Sequence, residues 1–252
     1  MPARKAVTLH LWNRVNAFSR GLRLFSDGDS ILLAVSGGPD SVVMLDYFSG
    51  QARSHKLKLQ ICHINHKLRG RRADADAAFV KKLGARYGLD TVILSADVRK
   101  LARRHGTSVE HTARNARYHL LSRTALKYGC ALVAVAHHSD DHAETILLNL
   151  LRGTEPKGLL GIPVKRELCR QGRRRVNLIR PLLAVSRKDI ELYLKLNALP
   201  SKKDHTNDDE QYRRNWIRKT LLPLLETKQP RLRQHLLELS GKLAAVIGEA
   251  KG

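Results

Sequence analysis

Over the first three-fifths of the chain, short apolar runs alternate with longer amphipathic stretches. The apolar runs are SILLAVS (Ser30 to Ser36), LQICHIN (Leu59 to Asn65), TVILS (Thr91 to Ser95) and ALVAVA (Ala131 to Ala136). Continuous apolar runs of this length predict strands buried on both faces. Helical patterns lie between them over Ser41 to Ser49, Ala73 to Tyr87, Val109 to Tyr128 and Asp141 to Leu151. An earlier set, Arg14, Val15, Phe18, Leu22 and Leu24, reads as part of a helix leading into the first strand. Buried strands separated by helices make a parallel sheet covered on both sides, so the fold class expected is α/β, doubly wound.

The texture changes after Gly153. A loop rich in Gly and Pro (GTEPKGLLGIP) precedes the basic stretch RELCRQGRRR, then VNLIRPLL, a helix from Ser186 to Leu196 and further helical patterns from Tyr212 onwards. These patterns place a boundary near Arg180, with a catalytic domain over residues 1–180 and a helical appendage over 181–252.

The charge changes the picture more than the hydrophobic fraction does. At 252 residues and 42% hydrophobic the chain can bury a full core, but 46 Lys and Arg against 23 Asp and Glu give a formal +23. An excess spread along a folded chain points to a polyanionic partner. With no apolar run of membrane-spanning length and no lipidation signal, nucleic acid fits better than a bilayer. Cys62, Cys130 and Cys169 lie far apart with no CxxC pair. That spacing argues against a disulfide framework or a four-cysteine metal site and fits a reducing, cytoplasmic setting. No secretory h-region follows the basic N-terminus, so no cleaved presequence is expected.

Candidate chemistry begins at Ser36 to Ser41, SGGPDS, on the corner between the first strand and the helix after it. Such a corner aims backbone N–H groups at one point, at the positive end of the helix dipole, and phosphate belongs there. Gly37 and Gly38 allow close backbone approach, Ser36 and Ser41 offer hydroxyls, Pro39 suits the first helical turn and Asp40 can help hold Mg²⁺ beside a polyphosphate. The stretch is neither a Walker A motif nor GxGxxG.

A second constellation, HHSDDHAE from His137 to Glu144, follows the fourth strand. In a parallel sheet the carboxyl ends of strands meet on the ligand side, so His137 and His138 should share a crevice with Ser36. Asp141 and Glu144 lie three apart at a helix start, on one face, and can bind a cationic amine or a metal; helix capping, by Asp140 and Glu144, is the competing explanation. On the helix over Val109 to Tyr128, the residues Glu110, Arg114, Arg117 and Tyr118 form one polar face, with Arg117 the candidate for a phosphate. HINHKLRG, His63 to Gly70, ends the second strand at the same sheet edge; its histidines suit hydrogen bonding that shapes the nucleotide loop better than zinc.

SGGPDS after a buried strand resembles the PP-loop of the ATP pyrophosphatases. With HINHKLRG, ARNARY, AHHSDDHAETILLNLLRG, IRPLL (Ile179 to Leu183) and DHTNDDEQYRRNWIRKTLLPLL (Asp204 to Leu225), the chain from about residue 10 to 226 is similar to the tRNA(Ile)-lysidine synthetase family. The resemblance implies a Rossmann-like ATPase that adenylates cytidine 34 of a CAU-anticodon isoleucine tRNA and attaches free L-lysine through its ε-amine. ATP would lie on Ser36 to Ser41 with Mg²⁺ at Asp40, and Arg117 would neutralise phosphate. Asp141 and Glu144 would hold the lysine amine, with His137 a nucleotide or acid/base contact. Two basic runs, Lys67, Arg69, Arg71 and Arg72, and Arg173, Arg174 and Arg175, would track the tRNA backbone, joined by Arg213, Arg214 and Arg218. Members of that family generally carry one or two further domains that help select the tRNA, so a short form without them is expected here. Oligomeric state, including a homodimer, stays open. Two other readings also stay open: a PP-loop paralogue acting on another base or small molecule with a different nucleophile, and a noncatalytic RNA-binding protein on the same fold.

Overall fold

A computed structural model of the protein describes residues 2–68, 70–202 and 213–249. Its centre is a six-stranded sheet in the order β3-β2-β1-β4-β6-β5. β1 (Ser30–Ala34), β2 (Lys58–Asn65), β3 (Thr91–Ser95) and β4 (Leu132–Ala134) are the four strands expected from the apolar runs, and they pair in parallel. In β1, Ile31 and Leu33 join the core on one face of the sheet while Leu32 joins the core on the other, all fully buried. Each such side chain contributes about 1.5–3 kcal/mol of transfer free energy, and their alternation forces helices onto both faces.

One face is covered by α1 (Pro2–Gly21), α2 (Pro39–Ala52), α3 (Arg71–Arg86) and α7 (Arg187–Asn197), through residues such as Val15, Met44, Val80 and Tyr193. The other is covered by α5 (Val109–Lys127), with Leu121 and Ala125 on Cys62, Val133 and Leu178; α4 (Val98–His105) packs beside it. A third cluster joins α6 (Ser139–Leu150) to the late helices through Ala143, Ile146, Ile217, Leu222 and Leu236. Those late helices are α8 (Arg213–Trp216), a π turn (Ile217–Leu221), α9 (Leu222–Lys228) and α10 (Leu232–Glu249). α7 lies beyond residue 180, yet its Ile190, Tyr193 and Leu194 share one buried cluster with α1 and α2. Among the described residues no helix is long and apolar enough to cross a membrane.

The sheet holds two strands that the apolar pattern does not predict. β5 (Lys165–Gln171) and β6 (Arg174–Ile179) form an antiparallel hairpin, and β6 pairs in parallel with β4. The sheet is therefore mostly, not wholly, parallel. The hairpin turns at Gly172, whose φ of 58° suits a residue without Cβ. β6 starts at the amino end of the sheet and runs toward its carboxyl end. Arg173, Arg174 and Arg175 consequently lie one strand length, roughly 17 Å, from the carboxyl edge where β1 and β4 end.

Candidate active site

Because chain direction reverses its sideways progress at β1, the carboxyl ends of β1 and β4 open a crevice between the loops that follow them. Ser36 to Ser41 fill one loop, His137 and His138 the other. A cavity of about 380 Å³ occupies this crevice, lined among others by Ser36, Asp40, Ser41, His66, Arg117, His137 and Asp141. The topology thus brings four separately predicted segments to one point.

The Ser36 to Ser41 corner is locked by its own side chains. The Ser41 hydroxyl donates to the Gly38 carbonyl at 2.9 Å and accepts from the Gly37 N–H at 3.1 Å, while the Gly38 N–H donates to Ser36 Oγ at 3.3 Å. Gly37 has φ +90°, which strains any residue with a Cβ, and an added Cβ would also crowd Phe79 Cδ1 at 3.1 Å, so this position favours glycine. Pro39 begins α2. From beneath, buried His63 meets the Val35 carbonyl at 2.9 Å, in keeping with a histidine that shapes the loop. The serine hydroxyls therefore hold the loop's shape, leaving α2's backbone N–H groups and positive dipole to face an anion.

Every carboxylate here already has a cationic partner. Asp40 accepts from Arg187 Nη1 through both oxygens, at 2.7 and 2.8 Å. Asp140 accepts the Arg187 backbone N–H at 2.8 Å and pairs with Arg233. Asp141 and Glu144 share Arg214 and Arg218: Arg214 Nε reaches Glu144 Oε2 at 3.0 Å, Arg218 Nε reaches Glu144 Oε1 at 2.6 Å, and both guanidinium groups meet Asp141 Oδ1 at 3.2–3.3 Å. Asp141 also accepts the His138 backbone N–H at 3.1 Å, so it caps α6 as well as facing the cavity; Glu144 does not cap. Arg214 and Arg218, expected on a tRNA-facing surface, are turned instead onto this acidic pair, because α8 and the π turn pack against α6.

The histidines divide by surroundings. Arg180, 1% exposed, donates from Nε to His137 Nδ1 at 3.2 Å. Burial, together with Arg180, Arg117 and Arg214, outweighs Asp141 and holds the His137 pKa far below the ordinary imidazole value. His137 is therefore neutral, and with Nδ1 accepting it carries its proton on Nε2, as a donor and not a base. His138 is the reverse case. Burial opposes its charge, but Asp140, Asp141 and Asp40, at 3.4–3.9 Å, together raise its pKa. A raised folded-state pKa stabilises the fold below the ordinary value of about 6.5, and that contribution disappears as pH rises through the folded-state pKa. The stability gap between wild type and His138→Gln is thus expected to be largest below about pH 6.5 and to shrink as pH rises through the raised folded-state pKa, as read from urea midpoints.

Arg117 lies against the Tyr118 ring, its guanidinium carbon 5.1 Å from the centroid, and its Nε is buried without a partner; so is His66 Nδ1. Both residues line the cavity, and an unpartnered Arg117 Nε–H beside it suits an anionic ligand. Among the described residues no three His, Cys, Asp or Glu side chains converge as a metal cage. Asp40, a partly exposed carboxylate beside the loop, fits Mg²⁺ carried on a polyphosphate once Arg187 releases one of its oxygens, since such an ion needs only one or two protein carboxylates.

Lys67, Arg71 and Arg72 are exposed near the crevice, at the carboxyl end of β2 and the start of α3. Arg173 to Arg175 are exposed at the opposite end of the sheet, and Arg175 pairs with Glu167 at 3.0 Å, so the two basic runs do not form one surface around the cavity. Arg69 and the segment containing Asp204, Asn207 and Tyr212 lie outside the described residues. Arg180, Arg187 and Arg233 were not anticipated as site residues. Arg180 lies within the quoted IRPLL; for Arg187 and Arg233 no local signal exists, since their carboxylate partners are 147 and 93 residues away.

Comparison with known proteins agrees with this geometry. The chain is 39% identical over 244 residues to a tRNA(Ile)-lysidine synthase of Dehalococcoides mccartyi, an alignment covering 95% of this chain and 51% of that protein. It is 37% identical over 230 residues to the tRNA(Ile)-lysidine synthase of Chlorobaculum tepidum, covering 89% of this chain and 66% of the relative. The chain thus spans about half to two-thirds of the length of these curated relatives. Among solved structures, the U34-tRNA thiolase NcsA from Methanococcus maripaludis, with its [4Fe-4S] cluster, shares the fold at a TM-score of 0.75 and 19% identity, over 95% of this chain and 79% of that one. A family model described as the PP-loop domain matches residues 9–225, which include the whole sheet, the locked corner and both arginines on the acidic pair; the chain therefore belongs to the PP-loop domain family.

Proposed function

We propose that the protein is an ATP-dependent ligase that forms lysidine at cytidine 34 of CAU-anticodon isoleucine tRNA. The observation that carries the reading is the acidic pair: Asp141 borders the nucleotide cavity, and it and Glu144 already accept organic cations, the guanidinium groups of Arg214 and Arg218. In the first step O2 of the cytosine attacks the α-phosphorus of ATP, and pyrophosphate leaves. In the second the lysine ε-amine attacks C2, loses its protons and expels AMP.

The N–H groups at the start of α2, Arg117 and the Nε2–H of neutral His137 receive the charge that grows on the phosphates. Mg²⁺, held by Asp40 and the polyphosphate, would screen the leaving pyrophosphate. Asp141 and Glu144 position the amine and accept its proton. An entering lysine displaces one guanidinium from the pair, which frees it for tRNA phosphate; residues 181–252 contribute to tRNA binding in this way. A cytidine in an anticodon loop is already unpaired, so reading it costs little. A sulfur-transfer reading is disfavoured at Cys62: this cavity-lining thiol is buried and its pKa is pushed up to about 12, so it is no nucleophile at neutral pH.

The test is mass spectrometry of nucleosides from CAU-anticodon isoleucine tRNA incubated with protein, Mg-ATP and isotopically labelled lysine. The expected result is a labelled lysine–cytidine adduct that is lost in Asp40→Ala. Tight ATP and tRNA binding with no adduct would discard the reading.

A further inference from the structure

A second cavity, of about 660 Å³, lies between α4 and α5 and below the end of β3, on the far side of α5 from the nucleotide crevice. Its wall is mainly apolar, from Ala96, Leu101, Ala116 and Leu120, and three imidazoles, His105, His111 and His119, stand around it. This size and lining suit a planar ring compound with a few polar edge groups. The Asn115 amide, 2.8 Å from His111 Nε2, supplies such an edge partner.

The surrounding charge narrows the ligand further. α4 is VRKLARRH, with Arg99, Lys100, Arg103 and Arg104 exposed and no acidic residue. The one carboxylate lining the cavity, Asp97, is spent on capping α4 through the Lys100 N–H at 3.0 Å. Cations strung along a helix match a chain of phosphates rather than a single anion. A metal does not fit, since among the described residues no three ligands converge.

We infer that the α4–α5 cavity is a subsite for an unpaired nucleobase of the RNA substrate, with the adjoining phosphates on the basic face of α4. α5 then separates two compartments. Its Arg117 faces the reacting nucleotide, while His111, Asn115 and His119 hold another unpaired nucleotide of the same RNA by stacking and edge hydrogen bonds. The inference rests on an RNA substrate, as proposed above, but not on lysidine chemistry.

The test measures binding of the CAU-anticodon stem-loop to the full chain by fluorescence anisotropy, without ATP or lysine. Ala116→Phe fills the cavity, and His111→Ala/His119→Ala removes two of its rings without overpacking. Both are expected to weaken RNA binding about 10- to 100-fold while ATP affinity stays at the wild-type value. Arg103→Ala/Arg104→Ala is expected to lower the salt slope by about two. Photocrosslinking with 4-thiouridine in the loop should label the peptide that carries His111 and His119.

Wild-type RNA affinity in both cavity variants, or crosslinks confined to other elements, would overturn the subsite. So would binding of a free nucleoside monophosphate that these variants abolish while RNA affinity is unchanged, since that describes a small-molecule site. A chain that binds RNA through this cavity but forms no lysidine would keep the subsite and remove only the ligase reading.

Discussion

Glu144→Ala is expected to lower the unfolding free energy by about 2–4 kcal/mol and to abolish lysidine formation. The Glu144 side chain is 1% exposed and both its oxygens are engaged, so truncation leaves two guanidinium groups facing Asp141 alone. Removing one partner of a buried ion pair costs about 3–5 kcal/mol. Arg214 and Arg218 are about one-third exposed and can turn partly to water, which brings the loss below the top of that range. A urea midpoint reads the change directly, and a double-mutant cycle with Arg218→Met should give a coupling of about 1–3 kcal/mol. Glu144→Gln keeps the shape but not the charge, and should raise the lysine KM at least about 30-fold, from the 2–5 kcal/mol lost with a charged hydrogen-bond partner. Additive single mutants would mean that Glu144 and Arg218 do not act as a pair.

Arg117→Met presents the opposite profile. Pyrophosphate release is expected to fall about 10²- to 10³-fold, the usual cost of deleting a preorganised donor at a developing anion. Stability should change by less than about 1 kcal/mol. The variant loses a cation–π contact with Tyr118, worth about 0.5–1 kcal/mol, but also removes a buried Nε that has no partner. Arg117→Lys should not restore the rate, because an ammonium group lacks the planar fork that matches phosphate. Quench-flow measurement of pyrophosphate, paired with thermal unfolding, separates the two effects; a large drop in melting temperature at normal turnover would make Arg117 structural.

These two residues also show how far local sequence reaches. Asp141 and Glu144 were legible as a pair because a spacing of three fixes them on one helical face, and Ser36 to Ser41 were legible because two glycines, a proline and an aspartate on one corner exceed what a turn needs. Capping, the competing reading for Asp140 and Glu144, falls instead to Asp141, which caps α6 while it faces the cavity. The β5–β6 hairpin was not legible. KRELCRQ is an edge strand with little buried surface, and β6 opens on exposed arginines before its short buried set Val176, Leu178 and Ile179, so the two together read as a basic cluster.

By itself the sequence determined the doubly wound fold, since apolar runs of strand length leave few alternatives to a sheet buried on both faces, and it determined the chemistry of each loop at the sheet's carboxyl edge. Only the tertiary structure decided what those loops meet. Asp40 pairs with Arg187 across 147 residues, and Glu144 with Arg214 and Arg218 across 70 and 74. The direction of one strand places Arg173 to Arg175 at the end of the sheet opposite the site. Such pairings follow from strand order and helix packing, which depend on the whole core at once, so no window of sequence contains them.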